Sequence, residues 1–178
     1  MNDSTGSRHV TSDLFDALGS DGPHPEFAEK LELFGQFVGD WDVVWKGTDN
    51  AGKPASSVGE LSFGWILGGR ALQDVWRVPS QPAPPELGSF HGTTVRFYDP
   101  KIDAWQSTWI EPFHGRVRRF LGHPDGADIV LDEIEANPAE RWCFRDISRD
   151  SFRWTAEVFD EQRDEWVSDE EMYVTRRV

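Results

Sequence analysis

From Gly39 onward, hydrophobic and polar positions alternate along the chain with a period of two. In "DWDVVWKG", for example, Trp41, Val43 and Trp45 share one face of an extended strand. Ten such runs follow one another, separated by short turns such as "PDG" and by the proline-rich loop "PSQPAPPELGS". The runs are "DWDVVWKG", "GELSFGWIL", "RALQDVWRV", "HGTTVRFY", "AWQSTWIE", "RVRRFLG", "DIVLDEIE", "ERWCFRDI", "SFRWTAEVF" and "WVSDEEMYVTRR". Evenly spaced short strands are typical of sandwiches and barrels, and closure removes exposed edges, so we expect an all-β, antiparallel up-and-down barrel of about 8–10 strands.

Ahead of the strands, the pattern is different. Residues 1–24 are polar and rich in turn-forming residues, which predicts a disordered leader in which "SDLFDALG" forms at most one transient helical turn. From Pro25 the period becomes helical, because Phe27, Leu31 and Phe34 recur three or four residues apart. The expected organisation is a leader followed by one barrel domain over residues 25–178, with a short N-terminal helix that plugs or flanks the barrel.

Two segments, "YDPKIDAW" (98–105) and "FDEQRDEW" (159–166), repeat one arrangement of an aromatic residue, two aspartates and a tryptophan. Asp99, Asp103, Asp160 and Asp164 are interpreted as turn formers whose carboxylates accept hydrogen bonds from nearby backbone N–H groups. The alternative, a metal-binding loop, needs more oxygen ligands at closer and fixed spacing. The flanking aromatic residues are then expected to pair across two hairpins.

Four segments in chain order, "FVGDWDVVW", "GELSFGWILGGRALQDVW", "GTTVRFYDPKIDAWQSTWI" and "EMYVTRR", resemble the DUF1579 family over about residues 33–177. These are bacterial proteins of unassigned function with a lipocalin-like (calycin-like) barrel. The resemblance implies a barrel of small-molecule size and supplies no set of catalytic residues. The related haem-binding nitrobindin-type barrels carry a proximal histidine late in the chain. Residues 124–178 contain no histidine here, so no cofactor is expected.

Composition and charge narrow the classes of function. The chain carries 18 Lys and Arg against 32 Asp and Glu, a net charge of -14. A surface of this kind repels phosphates, so neither nucleic acid nor an anionic membrane is an expected partner. No apolar run is long enough to span a membrane, and the N-terminus lacks a signal-peptide core. A single cysteine, Cys143, forms no internal disulfide, which favours a cytoplasmic location. Association into a homodimer is left open.

The segment 104–120 places tryptophans beside arginines. If "PFHG" (112–115) is the loop of a hairpin, Glu111 lies opposite Arg116 and Trp109 opposite Arg118 on one face, and the other face is more aliphatic. If the Trp/Arg face points inward, it lines a cavity in which Arg118 stacks on Trp109 or binds an anionic group. If it points outward, the arginines lie over exposed rings. A register slip of one residue would exchange the two faces, and we adopt the inward orientation.

Candidates for catalysis are sparse. Gln73 and Asp74 in "GGRALQDVW" lie on opposite faces of a strand, and either a ligand contact or a hydrogen bond to a neighbouring strand fits them. His91 at a strand start and Glu111 are the first choices for moving a proton. The histidines have no metal-site spacing, no nucleophile or phosphate-loop motif occurs, and Cys143 is interpreted as a small buried hydrophobe.

These patterns predict a barrel that binds a small, largely hydrophobic molecule with a polar or anionic end. The rings expected in the cavity wall are Trp45, Phe63, Trp65, Trp76, Trp105 and Trp109. The expected polar anchors are Gln73, Glu111, Arg116 and Arg118. Two alternatives stay open: a cofactor-free enzyme of the cyclase, isomerase or decarboxylase type acting in the same cavity, and a barrel filled by its own tryptophans that acts as an interaction module.

Overall fold

The computed structural model of the protein describes residues 11–49, 52–78 and 90–178. The loop "PSQPAPPELGS" (79–89) lies outside these ranges. The helical elements are α1 (Thr11–Leu18), a 3₁₀ turn (Pro25–Phe27) and α2 (Ala28–Gly35). The strands are β1 (Gly19–Ser20), β2 (Gly39–Thr48), β3 (Pro54–Ile66), β4 (Ala71–Val78), β5 (Phe90–Asp99), β6 (Ala104–Glu111), β7 (Arg116–Asp125), β8 (Asp128–Glu133), β9 (Glu140–Arg145), β10 (Ser151–Asp160) and β11 (Glu165–Arg176).

The strands β2 to β11 form one closed antiparallel barrel. Each pairs with the next along the chain, and β11 returns to pair with β2 and closes the ring. The predicted all-β, up-and-down barrel is therefore confirmed, and each of the ten alternating runs in the sequence corresponds to one of its strands. Side chains at alternate positions point into the barrel, so the apolar face of each run becomes part of the interior.

The predicted short helix is present as α2, and it closes one end of the barrel rather than flanking it. Leu31 and Phe34 on α2 and Phe37 just after it are fully buried. The Phe34 ring lies 4.9 Å from the ring of Trp105, and the Phe37 ring lies 4.8 Å from that of Phe152. These aromatic side chains pack against one another in the half of the barrel interior that is nearest to α2.

The N-terminal segment is more ordered than its sequence predicted. Residues 1–10 lie outside the described residues, but α1 and β1 follow directly, and β1 pairs with the end of β3. The backbone N–H of His24 also donates to the carbonyl of Gly69 at 2.9 Å. The expected disordered leader therefore does not extend to residue 24, because this segment completes backbone hydrogen bonds at the edge of the barrel.

The repeated aspartate motifs form two matching turns, as predicted. The first aspartate of each, Asp99 or Asp160, accepts a hydrogen bond from the backbone N–H two residues later, at 3.0 and 2.9 Å. The second, Asp103 or Asp164, has a φ of 48° or 56°, a conformation that Asp tolerates better than most residues. The flanking rings contact each other across each hairpin, with centroids 6.4 and 5.3 Å apart.

No helix among the described residues is long and apolar enough to cross a membrane.

Candidate functional site

The hairpin of β6 and β7 has the register that the sequence predicted. Glu111 pairs with Arg116, and Trp109 pairs with Arg118. Trp109 and Glu111 are buried inside the barrel, whereas Ile110 on the opposite face is 44% exposed. The inward orientation of the Trp/Arg face is therefore confirmed.

A cavity lies in the half of the barrel away from α2, at the end where β6 turns into β7. Its volume is about 40 Å³, which is room for about three water molecules at 10–15 Å³ each. The side chains that line it are Trp76, Phe90, Trp109, Glu111, Arg116, Arg118, Trp142, Trp154, Ala156, Glu170 and Met172. The lining is mainly apolar, and its charged groups belong to β6, β7 and β11.

Four tryptophans form the core of this lining. The ring of Trp76 lies 5.3 Å from that of Trp109, 5.9 Å from that of Trp142 and 5.1 Å from that of Trp154. The inner face of β5 carries Gly92 beside Trp109, where a Cβ atom would come within 2.5 Å of the indole ring. A larger residue at position 92 would push the Trp109 ring away, so this glycine lets the tryptophans gather closely.

Three of these tryptophans carry buried N–H groups that are not hydrogen-bonded. Within the described residues, the indole nitrogens of Trp76, Trp142 and Trp154 have no acceptor. Two other buried indoles are satisfied: Trp41 donates to the Phe37 carbonyl at 2.7 Å, and Trp45 donates to a Glu170 carboxylate oxygen at 2.9 Å. An unmade hydrogen bond of a buried donor costs about 1–3 kcal/mol. The cavity therefore has an excess of donors that an acceptor from outside the chain would satisfy.

The two arginines at the cavity differ in their partners. Arg118 donates to the carboxylates of Glu133 and Glu140, and its guanidinium lies 5.4 Å from the centre of the Trp142 ring. Burial lowers the pKa of Arg118, but the hydrogen bonds and charges of the two carboxylates outweigh it and leave the pKa raised. Arg116 is exposed and forms no ion pair with the described part of the chain. Arg116 is thus the positive charge at the open end of the cavity, its mouth, that can pair with an anionic ligand group.

Glu111 stabilises the hairpin turn, and its carboxylate is not free to contact a molecule in the cavity. Its two carboxylate oxygens accept hydrogen bonds from the backbone N–H groups of Phe113 and His114, at 2.8 and 3.1 Å. The His114 ring nitrogen lies 2.8 Å from one of the same oxygens. These bonds commit the carboxylate to the turn, and this argues against the expected role of Glu111 as a proton carrier.

Two of the expected site residues lie on the outer face of the barrel. Gln73 donates to the hydroxyl of Thr93 on the neighbouring strand at 2.9 Å, which is the structural bond that the sequence left open. His91 is exposed and lies beside the Phe113 ring at 6.3 Å. Both are separated from the cavity because Asp74 and Gly92, their chain neighbours, occupy the inward positions. The described residues contain no group of three His, Cys, Asp or Glu side chains placed to hold a metal ion.

The expected wall residues divide between the two halves of the barrel. Trp76 and Trp109 line the cavity, and Trp45 adjoins it through its bond to Glu170. Phe63 and Trp105 are buried but pack near α2, away from the cavity. Trp65 is half-buried and lies in a surface groove with Gly35 and Leu33.

Two of the cavity tryptophans, Trp142 and Trp154, were not among the expected wall residues. They lie in the predicted runs "ERWCFRDI" and "SFRWTAEVF", and both occupy inward positions. Trp142 pairs with Ala156 and Trp154 with Phe144, and the two indole rings lie 5.2 Å apart. The alternation of polar and apolar residues in these two runs could have predicted that both side chains point inward.

A fully buried ion pair lies deeper in the barrel. A guanidinium nitrogen of Arg96 donates to a carboxylate oxygen of Asp74 at 2.6 Å, and the backbone N–H of Thr94 donates to the other oxygen at 3.0 Å. The guanidinium also lies over the rings of Phe34 and Phe63, at 4.9 and 5.6 Å. Burial raises the pKa of Asp74 and lowers that of Arg96, against the attraction between the two charges.

Cys143 is buried on the outer face of β9, which permits a chemical test. Burial raises the pKa of its thiol from 9.0 to about 11, and the negative charge of Glu157 acts in the same direction. We expect iodoacetamide at pH 8 to alkylate Cys143 at least about 100-fold more slowly in the folded protein than in urea, because the thiolate is the reactive form. Mass spectrometry of timed samples measures both rates, and equal rates would contradict this placement.

The closed ten-stranded antiparallel barrel, with a helix at one end and a cavity at the other, defines the class of this protein as a lipocalin-like β-barrel. Solved structures that share this fold include the following two. Rv2717c from M. tuberculosis aligns with a TM-score of 0.58 at 12% identity, over 88% of this chain and 99% of that chain. The S-type phycobiliprotein lyase CPES from Guillardia theta aligns with a TM-score of 0.53 at 11% identity, over 83% and 92%. No protein-family model and no curated protein matches the sequence.

Proposed function

We propose that the barrel binds a small, largely hydrophobic molecule whose polar end carries hydrogen-bond acceptors. The observation that supports this most directly is the set of three unpartnered indole N–H groups, on Trp76, Trp142 and Trp154, around one apolar cavity. Apolar walls with a few converging polar groups are typical of small-molecule sites. The similarity to a phycobiliprotein lyase is compatible with a small-molecule role for a barrel of this fold. Membership of the DUF1579 family remains part of the proposal.

The donors define the chemistry of the polar end. Indole N–H groups donate and cannot accept, so the ligand atom beside them is a carbonyl, carboxylate or similar oxygen. Arg116 at the mouth attracts an anionic oxygen, while Glu111 and Glu170 beside it carry negative charge. A carboxylate and a neutral carbonyl are therefore both candidates for the polar end.

The size of the cavity makes binding depend on movement of its tryptophans. A volume of about 40 Å³ is smaller than a benzene-sized ligand requires, since cavities that hold benzene measure about 150 Å³. A ring-sized molecule therefore enters only when indole side chains turn toward the mouth. This rearrangement changes the surroundings of several tryptophans at once, so ligand binding is expected to change their fluorescence.

Fluorescence titration with small aromatic acids, fatty acids and matched methyl ketones tests the proposal. We expect at least one class to change the emission with saturation. In Trp142→Phe, which keeps a ring but lacks the N–H donor, affinity is expected to fall about 2- to 10-fold, the value of one hydrogen bond. Trp166→Phe is the matched control, because Trp166 lies outside the cavity against the Arg141 guanidinium. No response to any compound would contradict a binding role.

The enzyme alternative is less well supported by the cavity. Its lining carboxylates are Glu111 and Glu170, and both already accept hydrogen bonds, from the turn backbone and from the Trp45 indole. General acid–base catalysis needs a group that is free to reach the substrate proton. The arrangement therefore favours a carrier over a catalyst.

The interaction module is the second candidate, and the small cavity volume favours it. A barrel that is filled by its own side chains has little room for a ligand and would act through its surface. The outer face beside the cavity exposes Ile110, Val117 and Phe113, which are 44%, 65% and 69% exposed. A complete lack of ligand response in the titration would shift the proposal to this role.

A further inference from the structure

Below the cavity, the barrel interior contains further donors that lack partners. The guanidinium of Arg96 uses one nitrogen for Asp74, and its other two nitrogens, Nε and Nη1, have no acceptor among the described residues. The hydroxyl of Ser107, which is paired with Arg96 across β5 and β6, is also buried without a partner. Buried polar groups are nearly always satisfied by protein, water or ligand. Something outside the chain is therefore expected to occupy this position.

These deep groups lie directly beneath the cavity. The guanidinium lies beside Asp74, and Asp74 is two residues from Trp76 on the inner face of β4, a step of about 7 Å. Ser107 is likewise two residues from Trp109 on the inner face of β6. Trp76 and Trp109 both line the cavity. The indole donors therefore lie nearer the open end of the barrel and the guanidinium donors deeper, separated by one pair of residues along the strands, or about 7 Å.

We propose that Arg96 and Ser107 form a second acceptor-binding subsite, which holds a neutral oxygen at the deep end of the ligand. This inference rests on the proposed function and names the ligand class more closely: an apolar body with an acceptor at each end. The deep acceptor is neutral because Asp74 already balances the charge of Arg96. A carboxylate at this depth would add an uncompensated negative charge to a dry interior, which is costly.

Two neutral probes that differ by one acceptor test this inference. Acetophenone carries one carbonyl, and 1,4-diacetylbenzene carries two at opposite ends of the same ring. We expect 1,4-diacetylbenzene to bind at least about 10-fold more tightly, since hydrogen bonds from charged donors are among the strongest in proteins. Tryptophan fluorescence titration measures both dissociation constants, and terephthalate serves as the anionic comparison, which is expected to lose this advantage.

Variants test whether the tighter binding of 1,4-diacetylbenzene, its advantage over acetophenone, depends on Arg96 and Ser107. Ser107→Ala leaves the Asp74–Arg96 pair intact and is expected to reduce the advantage of 1,4-diacetylbenzene about 2- to 10-fold, with acetophenone unchanged. Thr108→Ala, on the outer face of the same strand, is the matched control and is expected to change neither affinity. The double variant Asp74→Leu/Arg96→Met removes both charges together and is expected to abolish the advantage.

The outcomes separate this inference from the function on which it rests. If both probes bind equally in the unmodified protein, the deep position holds only water and the subsite is wrong, while the binding function stands. If 1,4-diacetylbenzene binds better and Ser107→Ala or the double variant leaves its advantage unchanged, the second acceptor lies elsewhere. If neither probe binds, the proposed function fails for neutral aromatic ligands, and the subsite fails with it.

Discussion

Replacing Asp74 by leucine is expected to lower the free energy of unfolding by about 3–5 kcal/mol, the cost of leaving one partner of a buried ion pair alone. Asp74 and Arg96 are both fully buried, and their ion pair is formed by one contact of 2.6 Å. In the variant, the guanidinium would keep its charge among the rings of Phe34 and Phe63 without a carboxylate. Urea unfolding, followed by circular dichroism, measures the loss.

The double variant Asp74→Leu/Arg96→Met tests whether the unpaired charge causes the loss of stability. Removing both charges eliminates the desolvation cost together with the attraction, so the double variant is expected to recover most of the stability that the single variant loses. Asp42→Ala is the control, because the pair of Asp42 and Arg177 lies at the surface, where its removal is expected to change stability little. Equal losses in the single and double variants would show that the charges are not the cause.

The strand pattern was sufficient to predict the barrel, and the reason is geometric. A side-chain period of two assigns every residue of a strand to one of two faces, so ten alternating runs define ten strands and their interior positions. The four-residue turn "PFHG" then determined the register of β6 and β7, and the pairing of Glu111 with Arg116 followed from it. The closure of β2 on β11 brings together residues that are far apart in sequence. Evenly spaced strands and the removal of exposed edges favoured a closed barrel, but no local pattern paired these two strands.

The depth of each residue within the barrel could not be predicted in the same way. Alternation places Phe63 and Trp105 on the inner face, but it does not show that the side chains of α2 occupy that half of the interior. It also left the partner of Asp74 open, because that partner depends on the register between β4 and β5. Arg96 therefore could not be recognised as an interior charge until the neighbouring strand was in place.

The order of the N-terminal segment also could not be predicted from the sequence. Local composition predicted disorder for residues 1–24, whereas β1 pairs with the last residues of β3, which lie more than 40 residues further along the chain. The order of this segment comes from a tertiary edge that completes its backbone hydrogen bonds, and local propensity contains no information about that edge.

Replacing Phe34 by alanine is expected to lower the free energy of unfolding by about 3–5 kcal/mol, because the side chain is fully buried between α2 and the barrel wall. Its ring contacts the rings of Trp105 and Phe144, at 4.9 and 5.8 Å, and the Arg96 guanidinium lies over it. Removing the ring leaves a void between these two rings and the guanidinium, in the half of the barrel nearest to α2. Thermal unfolding and urea titration measure the loss, and Phe113→Ala is the control, since Phe113 is 69% exposed and its removal is expected to change stability little.

The same variant tests whether the barrel interior can hold an apolar molecule once the Phe34 ring of α2 is removed. Benzene would replace the ring that the substitution removes, between the rings of Trp105 and Phe144 and under the Arg96 guanidinium. Saturating benzene should therefore raise the melting temperature of Phe34→Ala and leave that of Phe113→Ala unchanged. Recovery in this variant would show that the barrel wall keeps its shape when its internal support is removed. If Phe34→Ala loses stability and benzene restores none of it, the wall collapses onto the void, and α2 is then needed to hold the interior open for any ligand.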